Sequence, residues 1–166
     1  MCAGTYFITI YCGYSLDFII GYFKTFSNTI SNFDAKNDWT RVFLISDKII
    51  ATLYSNLNAI KIVSDNTHNP VPYAIAQIMK VAAMSRVTDA YGAIPYSKIG
   101  EDGKITTPYD SQEEVYNKFF EELDGAIAVL TENRNAALVA SADFVYSGNV
   151  QKWCKFANSL KLRLAI

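Results

Sequence analysis

An all-α (mainly α) fold, built as helix pairs joined by long irregular loops, is what the sequence predicts. Three observations carry this. Apolar residues recur at steps of three and four in four separate stretches, the spacing that gathers side chains on one face of a helix. Capping residues stand where these stretches begin: Asn37 or Asp38, Ser111 with Glu114, and Asn149. Glycine and proline punctuate the interval between the second and third stretches.

The first helix is expected over Asp38 to Ser64, with Trp39, Val42, Phe43, Ile49, Ile50, Leu53, Leu57 and Ile60 on one face. Asp65 to Pro70 is a polar turn that holds His68. Pro70 or Pro72 opens the second helix, where a missing N–H costs nothing. That helix continues through Ile75, Ile78, Met79, Ala82 and Ala83 to Gly92, a residue suited to the positive φ a helix end often requires. Its small residues Ala74, Ala76, Ala82 and Ala83 suit the close approach of another helix. Gly92 to Asp110 is a loop broken by Pro95, Gly100, Gly103 and Pro108. Ser111 and Glu114 form a capping-box pattern ahead of a third helix with the stripe Val115, Phe119, Leu123, Ile127 and Leu130. Glu113, Glu114, Glu121 and Glu122 fall on its outer face. Asn133 to Ser147 is irregular, with a short extended piece expected at Phe144 to Tyr146. Asn149 caps a fourth helix striped by Trp153, Phe156, Ala157, Leu160 and Leu164. The first two helices and the last two each read as a pair. The last stripe runs to Ile166 without a stop signal, so a parent polypeptide that continues is expected.

The chain has 166 residues, 51% hydrophobic and 19% charged, which fits a globular unit able to bury a core. A formal net charge of −1 excludes the basic surface that a nucleic-acid partner requires. Aromatics make up 14%, with tyrosine the commonest, and a tyrosine offers an apolar face with a polar tip. Cys2, Cys12 and Cys154 give neither a disulfide framework nor a zinc spacing. The apolar run from Tyr6 to Phe23 is interrupted by Asp17, Gly13 and Gly21, against the about 20 residues a membrane span needs. It also lacks the basic start and cleavage site of a signal peptide.

Catalysis requires positioned, tuned groups, and the sequence offers none. His68 is the only histidine and stands in a polar turn without a cysteine nearby. No nucleophile elbow, phosphate loop or zinc-protease motif occurs, and no cofactor or metal is implied. The acid pairs Glu101–Asp102, Glu113–Glu114 and Glu121–Glu122 are sequence neighbours on loops or helix surface. A glycosidase instead sets two carboxylates about 5–9 Å apart across the scissile bond. Binding offers more. A sugar site combines aromatic faces with amides and carboxylates, and the segment Asn32 to Trp39 has this mixture, with Phe33, Asn37 and Trp39 as its candidates beside Asp34 and Asp38. Trp39 equally suits a core position. Asp89, Tyr96 and Tyr109 are the candidates near the loop. Asp89 lies at the negative end of a helix and calls for compensation by a loop N–H, by Arg86 or by a ligand hydroxyl. Tyr96 and Tyr109, like Tyr91, serve either as loop anchors or as sugar platforms. Arg163 is expected either to pair with a carboxylate when the core is complete or to lie near the segment of the parent polypeptide that follows.

Three blocks also carry a family resemblance. They are Val87 to Tyr96 (VTDAYGAIPY), Thr107 to Ile127 (TPYDSQEEVY running on to ELDGAI), and Gly148 to Ala165 (GNVQKW, then KFANSLKLRLA). In this order and at this separation they resemble the SusD/RagB family of outer-membrane lipoproteins, from about Phe33 to Ile166. Residues 1–30 match poorly, and 31–166 read as an incomplete SusD-like helical domain. The resemblance implies tetratricopeptide-like helix pairs and a protein on the cell surface at the outer membrane. Such a protein captures an oligosaccharide ligand without bond cleavage and delivers it, by lid-like motion, to a TonB-dependent (SusC-like) transporter. It also implies membrane association through a lipid anchor; no apolar signal precedes Cys2, so that anchor is expected outside this chain. The alternative is a helical-pair scaffold that docks protein and has no glycan affinity. The family carries no universal ligand motif, so only its scaffold blocks transfer to this sequence.

Overall fold

The computed structural model describes residues 49–99, 107–136 and 138–166. The 1–30 segment, Phe33, Asn37, Trp39, the expected start of the first helix and its caps, and Gly100, Glu101, Asp102 and Gly103 lie outside the described residues. Among the described residues there are four α-helices: α1 (Ile49–Thr67), α2 (Val71–Tyr91), α3 (Gln112–Glu132) and α4 (Val150–Leu164). A single 3-10 turn, Ala140–Ala142, lies between α3 and α4. An isolated antiparallel bridge joins Ile94 to Asp110. The helical, tetratricopeptide-like class expected from the sequence is what forms.

Each helix starts for a local reason. α2 begins after Pro70, whose φ of −78° is already helical, and Pro72 occupies the first turn, where no N–H is needed. Asn69 Oδ1 accepts the Val71 N–H at 3.2 Å. At α3 the capping box is complete: Ser111 Oγ accepts from Glu114 N, and Glu114 Oε2 accepts from Ser111 N at 2.8 Å. Asn149 Oδ1 accepts from Lys152 N at 3.0 Å and opens α4. α1 runs through Asp65, Asn66 and Thr67, past the expected stop at Ser64. Thr67 Oγ1 closes that extra turn by donating to Val63 O at 2.7 Å. The chain then leaves through His68 at φ 51°, an exposed turn residue.

The faces that pack are the striped ones, with α2 at the centre. It packs against α1, α3 and α4, and α3 packs against α4. The expected pairs both form, α1 with α2 and α3 with α4, and they join into a continuous stack whose most extensive contact joins α2 to α3. The reason lies in the composition of α2: Val71, Ala74, Ile75, Ala76, Ile78, Val81, Met84 and Val87 are all buried, more than one face can hold. Ala76 fits against Leu57 and Ile60 of α1, the close approach its small side chain allows. On α3 the buried set is Val115, Phe119, Leu123, Ala126 and Leu130; Ile127 is turned half outward. On α4 Trp153, Ala157 and Leu160 are buried, while Phe156 and Leu164 are partly covered. Burying each large side chain stabilises the stack by about 1.5–3 kcal/mol.

Gly92 ends α2 at φ 75° and ψ −116°, a conformation open to glycine alone. Thr88 holds it twice: Gly92 N–H donates to Thr88 O at 2.7 Å, and Thr88 Oγ1 donates to Gly92 O at 2.6 Å. An added Cβ would meet nothing within 4 Å. Gly92→Val therefore costs backbone strain without a clash. The expected loss is about 1–3 kcal/mol, read as a lower melting temperature. An unchanged melting temperature would show that the residue does not hold this conformation in solution.

Candidate functional site

The loop after α2 and the entry to α3 form one rim. Its limbs meet where Asp110 N–H donates to Ile94 O at 2.9 Å. Asp110 also holds the next turn of the chain. Its Oδ2 accepts the N–H groups of Tyr96 at 2.9 Å and Ser97 at 2.7 Å, and its Oδ1 accepts Ser97 Oγ at 2.8 Å. Burial alone would favour the neutral acid. The hydrogen bonds from Ser97 and Tyr96, with the nearby charge of Lys98, outweigh it and hold the Asp110 carboxyl below the usual range.

The sign of the pH effect follows. A depressed folded-state pKa adds stability that is complete above the ordinary aspartate value of about 3.9 and is lost as pH falls through the lower folded value. Asp110→Asn is expected to melt lower than wild type at neutral pH and to show a shallower fall in melting temperature with acid. Melting curves from neutral pH down to about pH 2.5 check this; an unchanged acid slope in the variant would count against the role of Asp110.

The three candidates near the loop take different positions on this rim. Tyr109, beside the Asp110 bridge, is 72% exposed. Asp89 is exposed at the end of α2, and among the described residues its partner is neither a loop N–H nor Arg86. Tyr116, across on α3, donates its hydroxyl to Asp89 Oδ1 at 2.6 Å. That bond, then burial and the charge of Asp89, push the Tyr116 phenol up; Arg163 acts in the opposite sense. Gln112 Nε2 reaches back to Thr88 O at 3.2 Å, a second tie between the ends of α2 and α3. Tyr96 is 4% exposed. Its ring meets Phe119 edge-on at 5.0 Å, and Lys80 Nζ stands 4.7 Å from its centroid. Its hydroxyl donates to Glu122 Oε2 at 2.6 Å.

Two groups that the sequence reading passed over matter here. Glu122, read as an outer-face residue, turns toward α2, where its Oε1 accepts Lys80 Nζ at 2.6 Å. The signal was present: Glu122 stands three residues after Phe119, on the edge of the buried stripe. Lys80 stands among the apolar residues of α2 and is 7% exposed. The other acids named from the sequence have separate uses. Glu114 caps α3, and Glu121 pairs with Lys118 at 2.7 Å on the surface. Among the described residues no group of three or more His, Cys, Asp or Glu could hold a metal ion. Among the same residues no helix is long and apolar enough to cross a membrane. The rim carries the exposed Tyr109 ring, the Gln112 amide bonded to Thr88, and the Asp89 carboxylate bonded to Tyr116.

Over residues 8–166 the sequence matches the model of the SusD-like family, described as Susd and RagB outer membrane lipoprotein. The chain belongs to the SusD/RagB family. The SusD-like architecture recurs in solved structures. A SusD homologue from Bacteroides uniformis is 84% identical over 84% of this chain and 28% of its own, with a TM-score of 0.75. A chitin-binding SusD homologue from Flavobacterium johnsoniae is 41% identical over 73% of this chain and 26% of its own, at a TM-score of 0.64. A homologue from Bacteroides ovatus is 43% identical over 69% of this chain and 23% of its own, at a TM-score of 0.59. The SusD-like chain thus spans only 28% of the length of the Bacteroides uniformis protein. Among curated proteins no match is found.

Proposed function

We propose that this chain is part of a cell-surface glycan-binding protein of the outer membrane, which passes its ligand to a TonB-dependent (SusC-like) transporter and cleaves no bond. Membership of a family of outer-membrane lipoproteins is the observation that carries this reading. The 41% identity to a chitin-binding homologue supports an oligosaccharide as the ligand, with N-acetylglucosamine oligomers as the first probe. The rim fits binding without catalysis. Exposed Tyr109 supplies a face for a pyranose ring, and Asp89 supplies a carboxylate for its hydroxyls. Tyr96 contributes from below, as a buried anchor of the same loop. Phe33, Asn37 and Trp39 complete the proposed set from outside the described residues. The lipid anchor and the transporter contact belong to the whole protein.

A glycan array on the full-length protein, followed by calorimetric titration of the strongest responders, tests the reading. Binding to an oligosaccharide class, weakened by Tyr109→Ala, is expected. The absence of binding across diverse glycans would overturn it and favour the alternative, a helical-pair scaffold that docks protein.

A further inference from the structure

Beneath the rim, three segments converge on one carboxylate. Glu122 of α3 spends one oxygen on Lys80 of α2 and the other on the Tyr96 hydroxyl of the loop, each at 2.6 Å. Lys80 closes the triangle by standing over the Tyr96 ring. Tyr54 of α1 packs against the same core, and its hydroxyl is buried without a hydrogen-bonding partner among the described residues. Burial first, then the charges of Glu122 and Asp110, push its phenol up. On the other side of the same loop residue, Asp110 holds the Tyr96 and Ser97 N–H groups. Tyr96 is thus fixed by its backbone to one acid and by its side chain to another.

We infer that Glu122 is a positioning residue: it holds the Gly92–Ser97 limb of the rim in its binding conformation without touching the ligand. This rests on the glycan-binding reading of the rim. The argument is one of geometry and charge. A carboxylate engaged at both oxygens between a nearly buried ammonium and a buried phenol has no equivalent alternative partner in water, so the limb has one low-energy position. Removing the carboxylate leaves Lys80 without its partner and the Tyr96 hydroxyl without its acceptor. The limb then keeps its backbone bonds to Asp110 but loses the carboxylate that anchors the Tyr96 side chain to α3. Gln at this position keeps one oxygen for Lys80 and an amide for the phenol oxygen, so it should restore position in part.

The test uses the full-length protein and two readouts. Hydrogen exchange is measured at the amides of Tyr96 and Ser97, and affinity is measured for the oligosaccharide identified by the array. Glu122→Ala is expected to speed exchange at these two amides and to weaken binding about tenfold at a temperature where the protein stays folded. Glu122→Gln should recover part of both effects. Glu121→Ala, which removes an exposed neighbour, should change neither. Should Glu122→Ala fail to fold, Tyr96→Phe removes the hydroxyl alone and is expected to show the same paired change on a smaller scale. Wild-type exchange and wild-type affinity in the folded variants would overturn the inference. A wild-type protein that binds no glycan defeats the functional reading. Unaltered amide exchange in the folded variants would, separately, defeat the positioning role.

Discussion

Asp143→Ala is expected to be among the most damaging single changes in this chain, lowering the unfolding free energy by about 3–5 kcal/mol. Asp143 is 1% exposed. Its Oδ1 accepts the N–H groups of Val145 at 3.0 Å and Tyr146 at 3.1 Å. Its Oδ2 accepts the Gly148 N–H at 2.9 Å and the Trp153 indole N–H at 2.8 Å. A single side chain thus folds the turn before α4 and ties it to the buried indole of that helix. Alanine would leave all of these donors without their acceptor, and the Trp153 indole N–H would be stranded away from water. The turn also holds Ser147 at φ 52°, a conformation that a non-glycine residue keeps only where surrounding bonds fix it. Gly148, at φ 80°, adopts its conformation freely, and an added Cβ there would lie 2.8 Å from Leu138 O, so a side chain does not fit. Asp143→Asn should recover only part of the loss, since its amide nitrogen faces a pair of donors in either orientation. Urea titration followed by circular dichroism measures the change. A wild-type midpoint in Asp143→Ala would show that the carboxylate does not organise the turn.

Asp143 also marks where sequence reading loses its grip. The helices were legible because their signals are local: an apolar residue every three or four positions, Ser111 with Glu114, Asn149, Gly92. Each signal sits within one turn of the structure it determines. The Phe144–Tyr146 piece was not legible. Its side chains favour a strand, yet it forms a turn, because an acid immediately before it gathers the backbone N–H groups that a strand would have to direct elsewhere. Asp143 looks like any solvated acid until Trp153, ten residues on, is known to reach it.

The same limit applies at the rim. Tyr109 and Asp89 could be named from their place in a loop motif. The partners that set their surroundings belong to other helices: Tyr116 for Asp89, and Glu122 with Lys80 for the neighbouring Tyr96. Periodicity assigns a residue to a face of its own helix. It does not say which acid on the margin of that face will meet a lysine from the next helix. Glu122 and Glu121 are adjacent in sequence and opposite in fate, one inside a network and one on the surface.

Phe119→Ala is the second large effect expected, a loss of about 3–5 kcal/mol. Phe119 is fully buried, the largest such side chain among the described residues. It stands where the α2–α3 contact meets the loop. Tyr96 packs on its ring edge-on at 5.0 Å, and Tyr116 packs on it tilted at 5.5 Å. Those two tyrosines hold Glu122 and Asp89 through their hydroxyls. The cavity left by alanine would therefore remove core packing and also loosen both side chains that tie the rim to α3. A leucine at 119 should recover much of the stability, because it fills most of the volume. It should recover less of the order in the loop, because it offers no ring to the two tyrosines. Unfolding free energies of the two variants, compared with hydrogen exchange at Tyr96 and Ser97, separate these contributions. If leucine restored loop protection as fully as it restores stability, the ring contacts would be ordinary packing, and the rim would depend on Phe119 only through the fold.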